Sequence, residues 1–188
     1  MRLSKTFPII IISLLLIISS CSSPFARTES ISDEFFTGTV TIEKNKKIQR
    51  YTLSINNEKT GGKDRIFTPY EVFAMHTGDV NGDGRTDICL GIIKPTPFDS
   101  VLKKRLFIFQ IDKDYIRPLW LSSRLVRPLE DFKVISRGKV SNILAIEKEN
   151  GSGYCVSEYS WSSFGMRMVK NQGSSLSLTE AQNILSKY

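Results

Sequence analysis

Short runs of alternating apolar and polar residues, separated by turn residues, constrain the fold of this chain more than any other feature. Val40 and Ile42 alternate with polar residues, and Tyr51, Leu53 and Ile55 do so beyond a turn over residues 44–47. Because successive side chains of a strand point to opposite faces, this pattern predicts a half-buried hairpin. It does not fit a mainly helical fold.

Later apolar segments extend the same pattern to the end of the chain. Residues 88–93 and 106–111 are apolar at consecutive positions, which predicts strands covered on both faces. Further strands are predicted within residues 132–135, 143–146, 154–161 and 166–169. The Ser177 to Glu180 spacing is a capping box, and Leu178, Ala181 and Leu185 follow at helical spacing, so we predict a short C-terminal helix.

The N-terminal 20 residues have the pattern of an export signal. Arg2 and Lys5 precede an apolar run over residues 9–18, which is shorter than the ~20 residues of a membrane-spanning helix. The Ile-Ser-Ser-Cys sequence ending at Cys21 resembles the bacterial lipobox, in which the cysteine is lipidated and becomes the mature N-terminus. The alternative is an ordinary secretory signal in which Cys21 is incidental.

These features divide the chain into three parts. Residues 1–20 are predicted to be a lipoprotein signal peptide in helical form, residues 21–34 a flexible polar tether, and residues 35–188 the folded domain. With 24% charged and 40% hydrophobic residues, the chain is neither disordered nor disulfide-dense. The expected location is the bacterial cell envelope, on the outer side of the cytoplasmic membrane or in the outer membrane. Nucleic acid is therefore not an expected partner, despite the net charge of +7.

One loop has the composition of an ion site. Asp79, Asn81, Asp83 and Asp87 occupy loop positions 1, 3, 5 and 9, Gly84 stands at position 6, and Arg85 supplies a backbone carbonyl at position 7. Calcium prefers six to eight oxygen ligands, which such a loop can supply, so we predict a structural Ca²⁺ here. An EF-hand is disfavoured because Leu90 replaces the glutamate at position 12. The alternative is a tight turn that binds no metal, since Asn, Asp and Gly favour turns by themselves.

The Asp-x-Asn-x-Asp-Gly-x-x-Asp sequence running directly into a strand resembles the calcium loops of FG-GAP and VCBS-like repeats, the units of integrin-type β-propellers. Residues 76–93, 104–109 and 120–128 also resemble segments of an uncharacterised group of bacterial FG-GAP-like lipoproteins. The resemblance implies antiparallel, propeller-blade-like meanders. About three blades fit this length, fewer than a closed propeller needs, so the expected form is an open or incomplete propeller, or the same loop on another β fold. Residues 134–142 resemble a second copy of the loop that has lost its carboxylates.

Positive charge is concentrated between Lys94 and Lys139, where 11 residues are basic and 5 are acidic. This segment could form a surface for an anionic polymer, lipid headgroups or an acidic envelope protein. The alternative is an ordinary set of solvated charges. The candidate residues are Lys103, Lys104, Arg105, Arg117, Arg124 and Arg127.

Other reactive residues give weaker signals. Cys89 and Cys155 lie in apolar strands, so they either pack as small hydrophobic side chains or form the disulfide that export permits. His76 is the only histidine and is expected to be a strand-edge hydrogen bonder. Trp120 and Trp161 are expected in the core, and no catalytic motif is recognised.

The sequence therefore predicts a membrane-anchored, non-enzymatic binding or structural module with one Ca²⁺-stabilised loop. Two alternatives remain. An envelope glycan hydrolase would need a pocket with at least two carboxylates away from the acidic loop, such as one that includes Glu130 and Asp131. An accessory subunit of an envelope complex would bind its partner through the basic segment.

Overall fold

Three antiparallel four-stranded sheets and one helix make up the part of the chain that the structure describes. A computed structural model describes residues 25–97, 99–121 and 125–188. The predicted signal helix over residues 1–20, Cys21 and Arg124 lie outside these ranges. Each sheet is a meander in which every strand pairs with the next strand along the chain. The all-β prediction is therefore confirmed for the described residues.

The sheets follow one another in sequence. Sheet 1 contains β1 (Arg27–Ser32), β2 (Thr37–Asn45), β3 (Arg50–Asn57) and β4 (Lys63–Thr68). Sheet 2 contains β5 (Glu71–Gly78), β6 (Asp87–Thr96), β7 (Asp99–Asp112) and β8 (Tyr115–Trp120). Sheet 3 contains β9 (Leu129–Arg137), β10 (Val140–Lys148), β11 (Tyr154–Ser162) and β12 (Gly165–Leu176). Helix α1 spans Leu178–Ser186.

The sheets are stacked face to face, and successive side chains of the inner strands pack against different neighbouring layers. On β6, Leu90 packs into a cluster shared with sheet 1, whereas the adjacent Cys89 packs into a cluster shared with sheet 3. On β10, Ile143 faces sheet 2, while Leu144 packs with α1. The layers therefore run in the order sheet 1, sheet 2, sheet 3, helix. This order explains why the middle strands are apolar on both faces.

The predicted first hairpin and the closing helix are both confirmed. Residues Val40, Ile42, Tyr51, Leu53 and Ile55 are buried on paired strands. The turn lies over residues 46–49, two residues later than predicted, because Asn45 Oδ1 accepts hydrogen bonds from the N–H groups at 47 and 48. At α1, Ser177 Oγ accepts from Glu180 N, and the Glu180 carboxylate accepts from Ser177 N at 2.8 Å.

Two expectations need correction. Part of the predicted tether, Arg27–Ser32, is strand β1, which pairs with β2 and buries Ile31. Its polar sequence is that of an edge strand, because β1 pairs with a neighbouring strand, β2, along one edge only. The predicted second loop copy over residues 134–142 is mostly strand as well, since β9 continues to Arg137 and β10 begins at Val140.

Candidate functional site

The acidic loop lies between β5 and β6, over residues 79–86, with Asp87 as the first residue of β6. Its position follows from the sequence, because Gly78 ends one strand and the apolar run that begins at Ile88 forms the core of the next. Gly82 and Gly84 have positive φ angles of 77° and 81°. Glycine is favoured at both positions, since side chains disfavour this backbone region.

Side chains of the loop hold its backbone in successive Asx-type turns. Asp79 accepts from Gly82 N at 2.7 Å through Oδ1 and from Gly84 N at 2.9 Å through Oδ2. Asn81 Oδ1 accepts from Asp83 N at 3.1 Å, and Asp83 Oδ1 accepts from Arg85 N at 2.9 Å. Each oxygen retains a second lone pair with which a cation could be bound.

Asp87 is the unusual member of the group. The residue is fully buried, and its Oδ2 accepts from Val80 N at 2.9 Å, but Oδ1 is buried without a hydrogen-bond partner among the described residues. Burial, together with the charges of Asp83 and Asp79, raises the pKa of the Asp87 carboxyl to about 7 against the opposing effect of the hydrogen bonds from Val80 N and Asn81 N. A buried oxygen without a partner is costly, and a proton, a bound water or a cation at this atom would offset that cost.

The loop contacts both neighbouring sheets. Toward sheet 1, Asp33 Oδ2 accepts from Thr86 N at 2.9 Å, and the Arg85 guanidinium lies 4.5 Å from the centre of the Phe35 ring. Toward sheet 3, Ser141 N donates to the Asp79 carbonyl at 2.6 Å. Anything that fixes the conformation of this loop therefore fixes contacts of sheet 2 with both of its neighbours.

The predicted metal ligands differ in how they contribute. Within the described ranges, no group of three His, Cys, Asp or Glu side chains converges closely enough to be recognised as a metal site. The predicted set is mixed, however, since Asn81 and the Arg85 carbonyl would supply two of its oxygens. Asp87 Oδ1 has no hydrogen-bond partner among the described residues, and the charges of Asp79 and Asp83 raise the pKa of Asp87. Both observations fit a hard cation with oxygen ligands.

The predicted basic residues separate into distinct environments. Lys103 and Arg105 share Asp99, each with a 2.9 Å contact to its Oδ2, and these two partners lower the pKa of Asp99 to about 2. Lys104 pairs with Glu130 at 2.5 Å. Arg117 lies over the Tyr115 ring on β8.

Four of these residues line one cleft of about 420 Å³, formed beside β7 and the segment that leads into β9. The basic residues are Lys103, Lys104, Arg105 and Arg127, and Asp99 is the only acidic residue in its lining. Arg127 Nη1 is buried without a partner in the described structure. Arg117 does not line this cleft. Three of the four cations are ion-paired, since Lys103 and Arg105 share Asp99 and Lys104 pairs with Glu130 outside the lining.

Two buried glutamates in sheet 3 were not predicted. Glu158 accepts from Arg137 at 2.7 and 2.9 Å, from Asn142 Nδ2 at 2.7 Å and from Gln172 Nε2 at 3.0 Å. Glu147 Oε1 accepts from Arg127 N at 2.8 Å and from the Tyr159 hydroxyl at 2.9 Å. The sequence signal for each of them is a single carboxylate within an otherwise largely uncharged strand, β10 or β11. Both glutamates join neighbouring strands or segments to one another.

The remaining candidates are buried or partly buried. His76 packs against the Phe132 ring with 5.3 Å between ring centres, and burial lowers its pKa. Trp120 is buried, and Trp161 packs against the cluster between sheets 2 and 3. Cys89 and Cys155 are buried free thiols, so these residues form no disulfide in the structure.

Comparisons with known proteins add no relative. No family model, no curated protein and no solved structure matches the chain. Among the described residues, no helix has the length and apolar character needed to cross a membrane.

Proposed function

We propose that this chain is an exported, lipid-anchored protein whose folded part is a non-catalytic binding or structural module stabilised by one Ca²⁺. The observation that carries the proposal is the buried Asp87 Oδ1, which has no hydrogen-bond partner among the described residues and whose carboxyl is influenced by the charges of Asp79 and Asp83. In this proposal, Asp79, Asn81, Asp83 and Asp87 hold the ion with side-chain oxygens, and Arg85 contributes its backbone carbonyl. The ion neutralises three carboxylates that would otherwise repel one another.

The stacked meanders support an open, blade-like arrangement. Closed propellers use about four to eight four-stranded blades, whereas three such sheets lie in the described part of this chain. We propose that the three sheets are an incomplete propeller of the FG-GAP type, with the calcium loop between the first two strands of the middle sheet. The loop contacts to sheets 1 and 3 then explain why one ion would stabilise the whole stack.

A titration of the metal tests the site. The full chain, freed of divalent ions, is titrated calorimetrically with Ca²⁺ and, separately, with Mg²⁺. We expect one Ca²⁺ with a Kd of about 10⁻⁴ to 10⁻³ M, as in extracellular modules. Asp87→Asn should weaken the binding at least tenfold, whereas Glu43→Gln, an exposed change on β2, should not alter it. Absence of heat with Ca²⁺ in the wild-type protein refutes the metal proposal.

The membrane anchor is a separate proposal based on the lipobox-like sequence. Mass spectrometry of the N-terminal peptide should give a lipid-modified Cys21, and Cys21→Ser should remove the modification and the membrane association. An unmodified mature N-terminus at another residue would instead indicate an ordinary secretory signal.

The basic cleft supports an anionic partner in the envelope, such as an acidic protein or polymer. Affinity capture from solubilised envelopes should recover a component that is lost when Lys103 and Arg127 are both changed to alanine. Arg50→Ala, at an exposed position in sheet 1, is the matched control. Capture that is insensitive to the cleft variant would remove this site from the proposal. The hydrolase alternative requires two carboxylates in one pocket. The basic cleft and two further cavities among the described residues each have at most one carboxylate in their lining, so these cavities do not favour it.

A further inference from the structure

A second cavity lies between sheets 1 and 2, away from the acidic loop. Its volume is about 680 Å³. The inner wall is formed by Ile42 and Leu53 of sheet 1 and by Leu90, Ile92 and Phe107 of sheet 2. These five side chains are almost completely excluded from solvent. The space is open to solvent on one side, where its lining includes exposed residues, so it is a groove between two apolar faces rather than a void within the close-packed core. Its volume lies within the range of about 300 to 1,000 Å³ that is typical of small-molecule sites.

The lining restricts the chemistry of an occupant. The inner wall carries only hydrocarbon side chains, and the uncharged polar side chains of the lining, Thr68 and Thr96, lie in partly exposed positions. A polar group deep in the cavity would lose its hydrogen bonds to water without replacement. The part of a ligand that enters must therefore be hydrocarbon.

Among the described residues of the lining, Lys94 is the only charged one. Its Nζ lies 5.3 Å from the centre of the Tyr70 ring and 5.2 Å from that of Phe107, and no carboxylate of the described residues forms an ion pair with it. No acidic residue occurs among the lining residues that the structure describes. An ammonium group held beside an apolar cavity, with rings rather than a carboxylate around it, is complementary to an anionic head group.

The cavity is also bordered by exposed apolar side chains. Phe67 of β4 is 51% exposed and Leu121 is 57% exposed, and both belong to its lining. Such residues at an opening extend the apolar surface outward, so that a chain longer than the cavity would remain covered where it leaves.

We propose that this cavity binds a single-chain amphiphile, with its hydrocarbon tail between sheets 1 and 2 and its carboxylate or phosphate head at Lys94. The inference does not depend on the calcium loop or on the basic cleft, because no residue of this cavity belongs to either. It therefore adds a ligand site to the proposed module, and its test is independent of the metal titration.

Photolabelling of the full chain tests the proposal. The protein is held in an amphipathic polymer instead of detergent and is irradiated with a hexadecanoic acid that carries a diazirine in its tail. The label should be found in peptides from β4, β6 and β7. Unlabelled hexadecanoate or hexadecyl phosphate should prevent labelling at a concentration about tenfold lower than hexadecanol does, because a charge-assisted contact is lost with the alcohol. The more effective of the two acids identifies the head group.

Two variants and one control make the result decisive. Thr96→Trp should block labelling by filling the opening, and Lys94→Ala should remove the preference for the acids over the alcohol. Lys170→Ala, at an exposed position of β12, should behave as the wild type. Circular dichroism and melting curves establish that the variants are folded. Labels spread over all three sheets, or labelling that Thr96→Trp leaves unchanged in a folded protein, overturn the site. Equal competition by acid and alcohol overturns the anionic head group.

Discussion

The backbone N–H of Ser141 donates a 2.6 Å hydrogen bond to the carbonyl of Asp79, which joins sheet 3 to the first residue of the acidic loop. On the opposite side of sheet 2, Asp33 accepts from the N–H of Thr86 near the end of the same loop. The loop is thus bonded to both neighbouring sheets. Changes within it should affect the stability of the whole stack rather than that of one turn.

Gly84→Ala should destabilise the protein by about 1 to 2 kcal/mol, because Gly84 has a φ of 81° that alanine disfavours. The added methyl group has space, since its nearest neighbour is Phe35 Cε2 at 3.8 Å, so the cost is conformational. Gly61→Ala is the matched control, with a φ of 74° and an open environment in the β3–β4 turn. Urea denaturation should give similar losses for both variants without Ca²⁺. Only Gly84→Ala should also reduce the stabilisation by Ca²⁺. If Ca²⁺ stabilises the Gly84→Ala and Gly61→Ala variants equally, the proposal that the acidic loop binds the ion is contradicted.

Asp33→Ala should lower the free energy of unfolding by about 1 to 3 kcal/mol, because the carboxylate accepts from three backbone N–H groups, those of Phe35, Phe36 and Thr86. These hydrogen bonds also lower the pKa of Asp33 against the opposing effect of burial. Glu34→Ala, at the exposed neighbouring position, should change stability by less than about 0.5 kcal/mol. Equal effects in chemical denaturation would contradict the assignment of Asp33 to the join between sheets 1 and 2.

Glu158 makes sheet 3 sensitive to acid. Hydrogen bonds from Arg137, Asn142 and Gln172 lower its pKa to about 2, against the effect of burial. Since this pKa is lowered in the folded state, the stabilisation is complete above the unfolded value of about 4.5 and is lost as the pH falls toward 2. Glu158→Gln should therefore be less stable than the wild type at pH 7, and the difference should shrink between about pH 5 and pH 2. Glu43→Gln serves as the exposed control in urea denaturation at each pH. A difference that does not change with pH would contradict this linkage.

The two core cysteines should be unreactive in the native protein. Cys89 and Cys155 are buried free thiols, and burial raises the pKa of each. Because the thiolate is the reactive form, iodoacetamide should modify neither residue until the protein is denatured. Peptide mapping before and after denaturation checks this expectation. Recovery of a peptide pair joined through Cys89 and Cys155 without reductant would show that the disulfide alternative was correct.

The inner strands and the two edge strands of sheet 3, β9 and β12, could be predicted from the sequence, whereas the edge strands of sheets 1 and 2 could not. Burial on both faces gives β6 and β10 continuous apolar runs, which a local pattern detects. Strands β1 and β4 lie at the edges of sheet 1, and the sequence of β1 predicts a tether because it is polar and has few large apolar residues. Its pairing depends on β2, which lies further along the chain.

The candidate site shows the same division. The spacing of Asp79, Asn81, Asp83 and Asp87 located the loop and its turn residues, because those preferences are local. The contacts with Asp33 and Ser141 arise only when the sheets stack, as does the complete burial of Asp87. Charge clustering indicated the basic residues, but the fold places Arg117 outside the cleft that Arg127 lines.

Differential scanning calorimetry with and without Ca²⁺ tests the central proposal most directly. In 5 mM Ca²⁺ the Tm should rise by roughly 2 to 9 °C relative to the chelated protein, as expected for a Kd of about 10⁻⁴ to 10⁻³ M. Asp83→Ala should abolish the rise, while Glu43→Ala should retain it. A melting curve of the wild-type protein that is the same in Ca²⁺ and in chelator would contradict the account.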